Sequence, residues 1–218
     1  MRKRISLGVF CLLFSASLLV CACSSSVSSS KTLETIITSL VPVTSPELTA
    51  QPGDSTIVVN YNLPKLSLDQ LISYSEVILV GKVVEIKPPK SGFVYNTISP
   101  TIYTDIIVQP ERYLYGGSGT QNIAIRVQGG KVGNEVVQVS GGTSFSLGEE
   151  TILFLFRQST DNLAPFTPVP EGIDPTNYFS IVGVSLGKWQ YVNGKATDVF
   201  GVEFDISDIQ NRIMVSHG

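Results

Sequence analysis

The sequence predicts a mainly β fold: a partly closed antiparallel barrel with short flanking helices, occupying residues 56–218. Three observations carry this expectation. Short runs rich in valine, isoleucine and aromatic residues recur at close intervals between residues 77 and 200, Gly-Gly and Asn-Gly pairs separate them, and only two stretches carry helix-starting signals. Such spacing favours a sheet closed on itself over alternating parallel units, and closure removes exposed strand edges.

The chain begins with Arg2, Lys3 and Arg4, then an apolar run over residues 5–20, then Cys21, Ala22 and Cys23. The basic start holds the N-terminus in the cytoplasm, and the run is too short to cross a hydrocarbon core of ~30 Å comfortably, so it reads as a cleavable export segment. It resembles a bacterial lipoprotein signal, in which an aliphatic and a small residue stand three and one positions before the cysteine that is acylated. Val20 and Ala22 meet that pattern for Cys23; Cys21 is the alternative, with Val20 where a small residue is wanted. The resemblance implies a signal peptide over 1–22 and a lipid-anchored protein of the bacterial cell membrane and envelope, facing outside the cytoplasm. Each buried methylene of the palmitate-type chains contributes about 0.8 kcal/mol, so two or three chains anchor durably.

Residues 23–55 are rich in serine, threonine and proline, with Pro42, Pro46 and Pro52, and read as the lipidated N-terminus and a tether. A domain signal starts at Ser67, which has capping-box spacing to Gln70, with Leu66 and Leu71 placed for a hydrophobic staple. Leu68, Leu71 and Ile72 form the apolar stripe of that short helix. A β-branched run over 77–86 follows, with Gly81 permitting a bulge.

Further strands are expected over 102–108, bounded by Pro100 and Pro110, over 122–127, and over 135–139. The run 151–157 is almost wholly apolar, which predicts burial on both faces. Residues 159–176 hold Pro165, Pro168, Pro170 and Pro175 and read as loop. Strands resume over 178–184 and 188–192, turning at Asn193-Gly194 into 195–200, a strong hairpin signal. A last helix over 206–214 is expected, with Asp205 as cap and Ile206, Ile209 and Ile213 inward.

The segment Ser75-Glu76-Val77-Ile78-Leu79-Val80-Gly81-Lys82-Val83-Val84, then Tyr113-Leu114-Tyr115-Gly116, Gly129-Gly130, Phe145, Leu147-Gly148-Glu149, Ile152-Leu153-Phe154-Leu155 and Gly187-Lys188-Trp189-Gln190, resembles a widespread group of bacterial secreted and lipoprotein domains with no established activity. More distantly it is similar to netrin-like domains, which implies an OB-like barrel. Inhibitors of that type use disulfides and a free N-terminal cysteine amine, and neither is expected here.

The chemistry is sparse. Formal charge is −3, and loss of Arg2, Lys3 and Arg4 leaves 12 basic against 18 acidic residues, or −6, which argues against nucleic acid as a partner. Of three cysteines, Cys11 leaves with the signal, so no thiol chemistry or disulfide is expected in the mature domain. One histidine, His217, stands at the tail, and no metal or other cofactor site is expected. Asp198, Glu203, Asp205 and Asp208 lack the register of a calcium loop. Gly116, Gly117 and Gly119 read as a hairpin turn, since no Gly-Lys-Ser/Thr follows.

Trp189 and Tyr191, alternating onto one strand face, are the candidate ligand-binding residues, with barrel filling as the other role open to them. Tyr103, Tyr113, Tyr115, Phe145 and Tyr178 are further aromatic candidates. The expectation is a non-enzymatic binding module for an envelope protein, peptide or glycan. The alternatives are an envelope enzyme using Ser, Lys or carboxylate groups, and a regulatory inhibitor acting through the loop 164–177.

Overall fold

The computed structural model describes residues 51–94, 97, 99–158 and 168–217. The expected signal, Cys21, Cys23 and the tether through residue 50 lie outside the described residues. In chain order the elements are β1 (Ser55–Asn60), α1 (Leu68–Tyr74), β2 (Val77–Ile86), β3 (Lys90–Gly92), β4 (Thr101–Tyr115), β5 (Ile123–Gln128), β6 (Gly130–Val132), β7 (Glu135–Ser140), β8 (Glu150–Arg157), β9 (Tyr178–Ile181), β10 (Lys188–Val192), β11 (Lys195–Thr197), β12 (Glu203–Asp205) and α2 (Ile206–His217).

Five strands close a ring, β2–β4–β5–β9–β8 and back to β2. The chain visits them first, second, third, fifth, fourth, a Greek-key path, and a five-stranded Greek-key barrel is the OB type. The seam between β5 and β9 is its one parallel contact, and it rests on two residue pairs, Ala124 with Tyr178 and Ile125 with Phe179. β10, β11 and β12 extend the sheet outward from β8, and β1, β7 and β6 form a separate three-stranded sheet in which β1 runs parallel to β7.

Alternation on β2 and β8 builds two cores. Val77 and Leu79 of β2 and Leu153 and Leu155 of β8 point into the barrel with Ile106, Ile123 and Phe179. Their neighbours Ile78, Val80, Ile152 and Phe154 point outward, beneath α1 and α2, with Trp189. This explains why β8 is apolar at almost every position. α1 has seven residues, too few for an independent helix. Its capping box is closed in both directions, Ser67 N to Gln70 Oε1 at 2.9 Å and Gln70 N to Ser67 Oγ at 3.2 Å. Burial of Leu68, Leu71 and Ile72 contributes more, roughly 5–9 kcal/mol at 1.5–3 kcal/mol per side chain, so packing decides its stability. α2 buries Ile209 and Ile213, and its first N–H is taken by Gly194 O at 3.1 Å.

Asn193 and Gly194 both have positive φ, 51° and 84°, as a type I′ hairpin requires. The turn after β4 demands glycine at 116, because a Cβ there would sit 1.7 Å from Glu76 O.

Several boundaries differ from the sequence reading. β4 does not stop at Pro110 but runs on to Tyr115. Pro110 lies opposite Gly81 at a register shift, and β5 accompanies β4 only as far as Val108, so the missing N–H breaks no central ladder. β9 ends at Ile181, earlier than expected, because residues 182–187 fold into turns. β1 begins inside the segment read as tether.

Candidate ligand-binding site

On the outer face of the barrel, Asp105 of β4 stands directly opposite Arg126 of β5. Arg126 Nε donates to Asp105 Oδ1 at 2.7 Å and Nη2 to Oδ2 at 2.8 Å, with a further bond from Nη2 to Pro168 O at 3.1 Å. The alternation that places Asp105 here also places Tyr103, whose ring lies 3.6 Å from the guanidinium carbon. Tyr178 of β9 comes within 4.9 Å on the strength of its pairing with Ala124, a residue small enough to leave room for the phenol ring.

The pair is withdrawn from water: side-chain exposure is 0 % for Arg126 and 5 % for Asp105. Burial pushes the Arg126 pKa down, but the bonds to Asp105 outweigh it and the net direction is up, so the guanidinium stays charged. Burial pushes the Tyr178 phenol far above its ordinary range, the nearby guanidinium only partly opposing it. Arg126 Nη1 and the Tyr178 hydroxyl each lack a partner at full hydrogen-bond geometry; the guanidinium lies close enough to the phenol for its charge and a loose hydrogen-bonding approach to oppose part of the upward shift. Nη1 lies on the edge of the guanidinium away from Asp105, because Nε and Nη2 form the fork that the carboxylate occupies.

Arg126 also walls a cleft of about 260 Å³. Gln128 and Ser180 supply polar groups to it, and Val139, Phe156 and Val184 supply apolar surface. Tyr61 donates to Gln128 Oε1 at 2.5 Å, and Gln158 Nε2 donates to Ser180 Oγ while its own Oε1 has no partner. The rim is strained: Val184 holds φ at 61°, a conformation that costs a β-branched residue about 1–3 kcal/mol. Thr143 Oγ1 fixes it by donating to Val184 O at 2.6 Å. The turn segment is clamped at both ends onto one residue of β8, with Phe154 N bonded to Gly187 O and Val182 N bonded to Phe154 O.

Gly142 and Thr143 form a ridge, and beyond it opens a polar groove of about 360 Å³ that includes Ser144, Glu149, Ser185, Lys188 and Asp198. Lys188 Nζ is 2.5 Å from Glu149 Oε1, donates to Ser144 O at 2.8 Å and sits 4.9 Å from the Phe145 ring centre. An ammonium held this way is not a free general base. Among the described residues no serine hydroxyl is bonded to a lysine, so no Ser–Lys pair is assembled. Asp198 Oδ1 accepts from Phe200 N and Val202 N, both at 2.8 Å, which spends it on the loop.

Trp189 is 2 % exposed, stacked on Phe204 at 5.0 Å and tilted against Phe154 at 5.1 Å, with Nε1 donating to Leu186 O. Both ring faces are occupied by protein. Tyr191 is half-buried against the same cluster, as alternation requires. Of the other aromatic candidates, Tyr103 and Tyr178 meet at Arg126, Phe145 and Tyr113 belong to the barrel interior, and Tyr115 stacks at 3.9 Å on His217, the last described residue of α2. The described His, Cys, Asp and Glu residues form no group of three placed to hold a metal ion. Sequence reasoning missed the Arg126 centre. Its signal was a lone Asp and a lone Arg, each inside a β-branched run in neighbouring strands. No protein-family model and no curated protein matches this chain.

Proposed function

We propose that this chain is a lipid-anchored binding module of the bacterial cell envelope, acylated at Cys23, and that it takes an envelope peptide or glycan in the cleft beside Arg126. One observation carries the choice of site: Arg126, whose buried, permanently charged guanidinium keeps one nitrogen without a partner at full hydrogen-bond geometry, lines a cleft whose rim is held under backbone strain. The anchor rests on the basic start, the apolar run and the spacing of Val20, Ala22 and Cys23. No helix among the described residues is long and apolar enough to cross a membrane. The loop considered for inhibition does not favour that role: Val169 and Ile173 pack against the cluster around Tyr178, and Pro168 accepts from Arg126.

Two measurements test the proposal. Mass spectrometry of the protein from native envelopes should show fatty acids on Cys23 and their loss in Cys23→Ser; an unacylated chain in the medium refutes the anchor. Soluble peptidoglycan fragments, which carry both peptide and glycan, should raise the melting temperature of the full chain in detergent. At about 100 times Kd the stabilisation is ~2.7 kcal/mol, or about 5–11 °C for a domain of this size. Val139→Phe, which fills the cleft, should abolish the shift; an equal shift in that variant refutes the site.

A further inference from the structure

β1 has a free edge. On one side it pairs with β7 from Ser55 opposite Glu135 to Asn60 opposite Ser140, and among the described residues no strand lies on the other. The far end of this sheet is covered, since a Cβ at Gly130 of β6 would lie 2.6 Å from Pro89 Cβ. β1 is not: Ile57 is 57 % and Val58 56 % exposed. Native edges are normally blunted by lysine, proline or a bulge, and Ser55–Asn60 contains none of these. The adjacent Asp54 is paired with Lys131 Nζ at 2.7 Å, and Ser55–Asn60 itself carries no charge.

We propose that β1 is a self-association edge, two copies pairing antiparallel about a two-fold axis at Val58 to join their three-stranded sheets into one continuous sheet. Hydrogen-bond parity selects this register. Ser55 N donates to Asn134 O, so by alternation Ser55, Ile57 and Val59 direct their backbone groups to β7, and Thr56, Val58 and Asn60 direct theirs outward. A two-fold axis normal to the sheet brings residues of equal parity together. Centred on Val58, it sets Val58 against itself and Thr56 against Asn60 of the second copy, using every outward residue, with Ile57 against Val59 between them. Centred on Ile57, it would leave Asn60 unused and oppose Ser55 to Val59. The favoured register therefore matches apolar with apolar and polar with polar. An uncharged edge that complements itself selects a second copy over a charged peptide. The pairing does not depend on the anchor or on the cleft.

The test is the mass of the full chain in density-matched detergent, measured by sedimentation across a concentration series. A dimer fraction that rises with concentration is expected. Val58→Pro deletes an N–H that β7 does not use, and Val58→Lys sets like charges face to face, so each should weaken association at least about tenfold. Val192→Lys, a charge at an equally exposed apolar site elsewhere, should leave it unchanged. Near-ultraviolet circular dichroism of Trp189 verifies that each variant is folded. A wild-type chain that stays monomeric throughout, including one that instead adds an extended peptide to β1, overturns the proposal, as does a dimer indifferent to both Val58 variants.

Discussion

Replacing Asp105 with Asn keeps the side-chain volume and removes the counter-charge of a guanidinium that has no exposure to water. Arginine cannot discharge itself by losing a proton, so the variant must bury an uncompensated cation. Breaking a buried pair in this way costs about 3–5 kcal/mol, and the lower end applies because the Asn oxygen can still accept from Nε. At about 3 kcal/mol that is a large share of the ~5–15 kcal/mol available to a typical domain, and at ~2–4 °C per kcal/mol it lowers the melting temperature by about 6–12 °C. Urea unfolding followed by the fluorescence of Trp189, the only tryptophan, gives the stability directly. Arg126→Met alone should also destabilise, by leaving the Asp105 carboxylate buried, whereas Asp105→Leu combined with Arg126→Met should recover much of the loss. Asp105→Asn within 1 kcal/mol of wild type, or a double variant no better than the worse single one, refutes this account of the pair.

Two further outcomes follow from burial. Trp189→Ala should cost about 3–5 kcal/mol, and in the wild type iodide should fail to quench Trp189 emission; ready quenching with little loss of stability would make it a surface platform after all. Burial raises the Tyr178 pKa in the folded state, so its contribution to stability is complete below the unfolded tyrosine pKa of about 10 and declines as pH climbs above it. Urea midpoints should fall with alkalinity above that point, and Tyr178→Phe should flatten part of the fall; an unchanged slope in that variant would place the alkaline loss on other groups.

The features readable from the sequence were those with a local cause. The capping box at Ser67, the Asn193-Gly194 turn and the two-faced apolar run of β8 each follow from neighbours within a few residues. β1 was not readable, because its partner is a parallel strand about eighty residues away and nothing near residues 55–60 marks that pairing. The same holds for the site. Alternation put Trp189 and Tyr191 on one face, as found, but only the docking of α1 and α2 makes that face a second core. Asp105 and Arg126 each look like a stray charge until the register of β4 against β5 sets them opposite one another.

Register also explains why so costly a pair sits where it does. The barrel closes between β5 and β9 through two residue pairs, a thin seam beside the β2–β8 ladder with six. Arg126 spans the weak side: it grips Asp105 on β4, takes Pro168 O from the segment leading into β9, and lies beside the ring of Tyr178, itself one half of a seam pair. Its third nitrogen lacks a partner at full hydrogen-bond geometry, and Arg126 is also one of the residues that line the cleft. A ligand accepting from Nη1 would satisfy a buried donor and tighten the closure at once, so occupancy of the cleft should stabilise the seam more than the rest of the barrel. Amide exchange reads that difference directly: protection gained on ligand addition should concentrate in Ala124, Ile125, Tyr178 and Phe179, and uniform protection across β2 and β8 would separate the cleft from the closure.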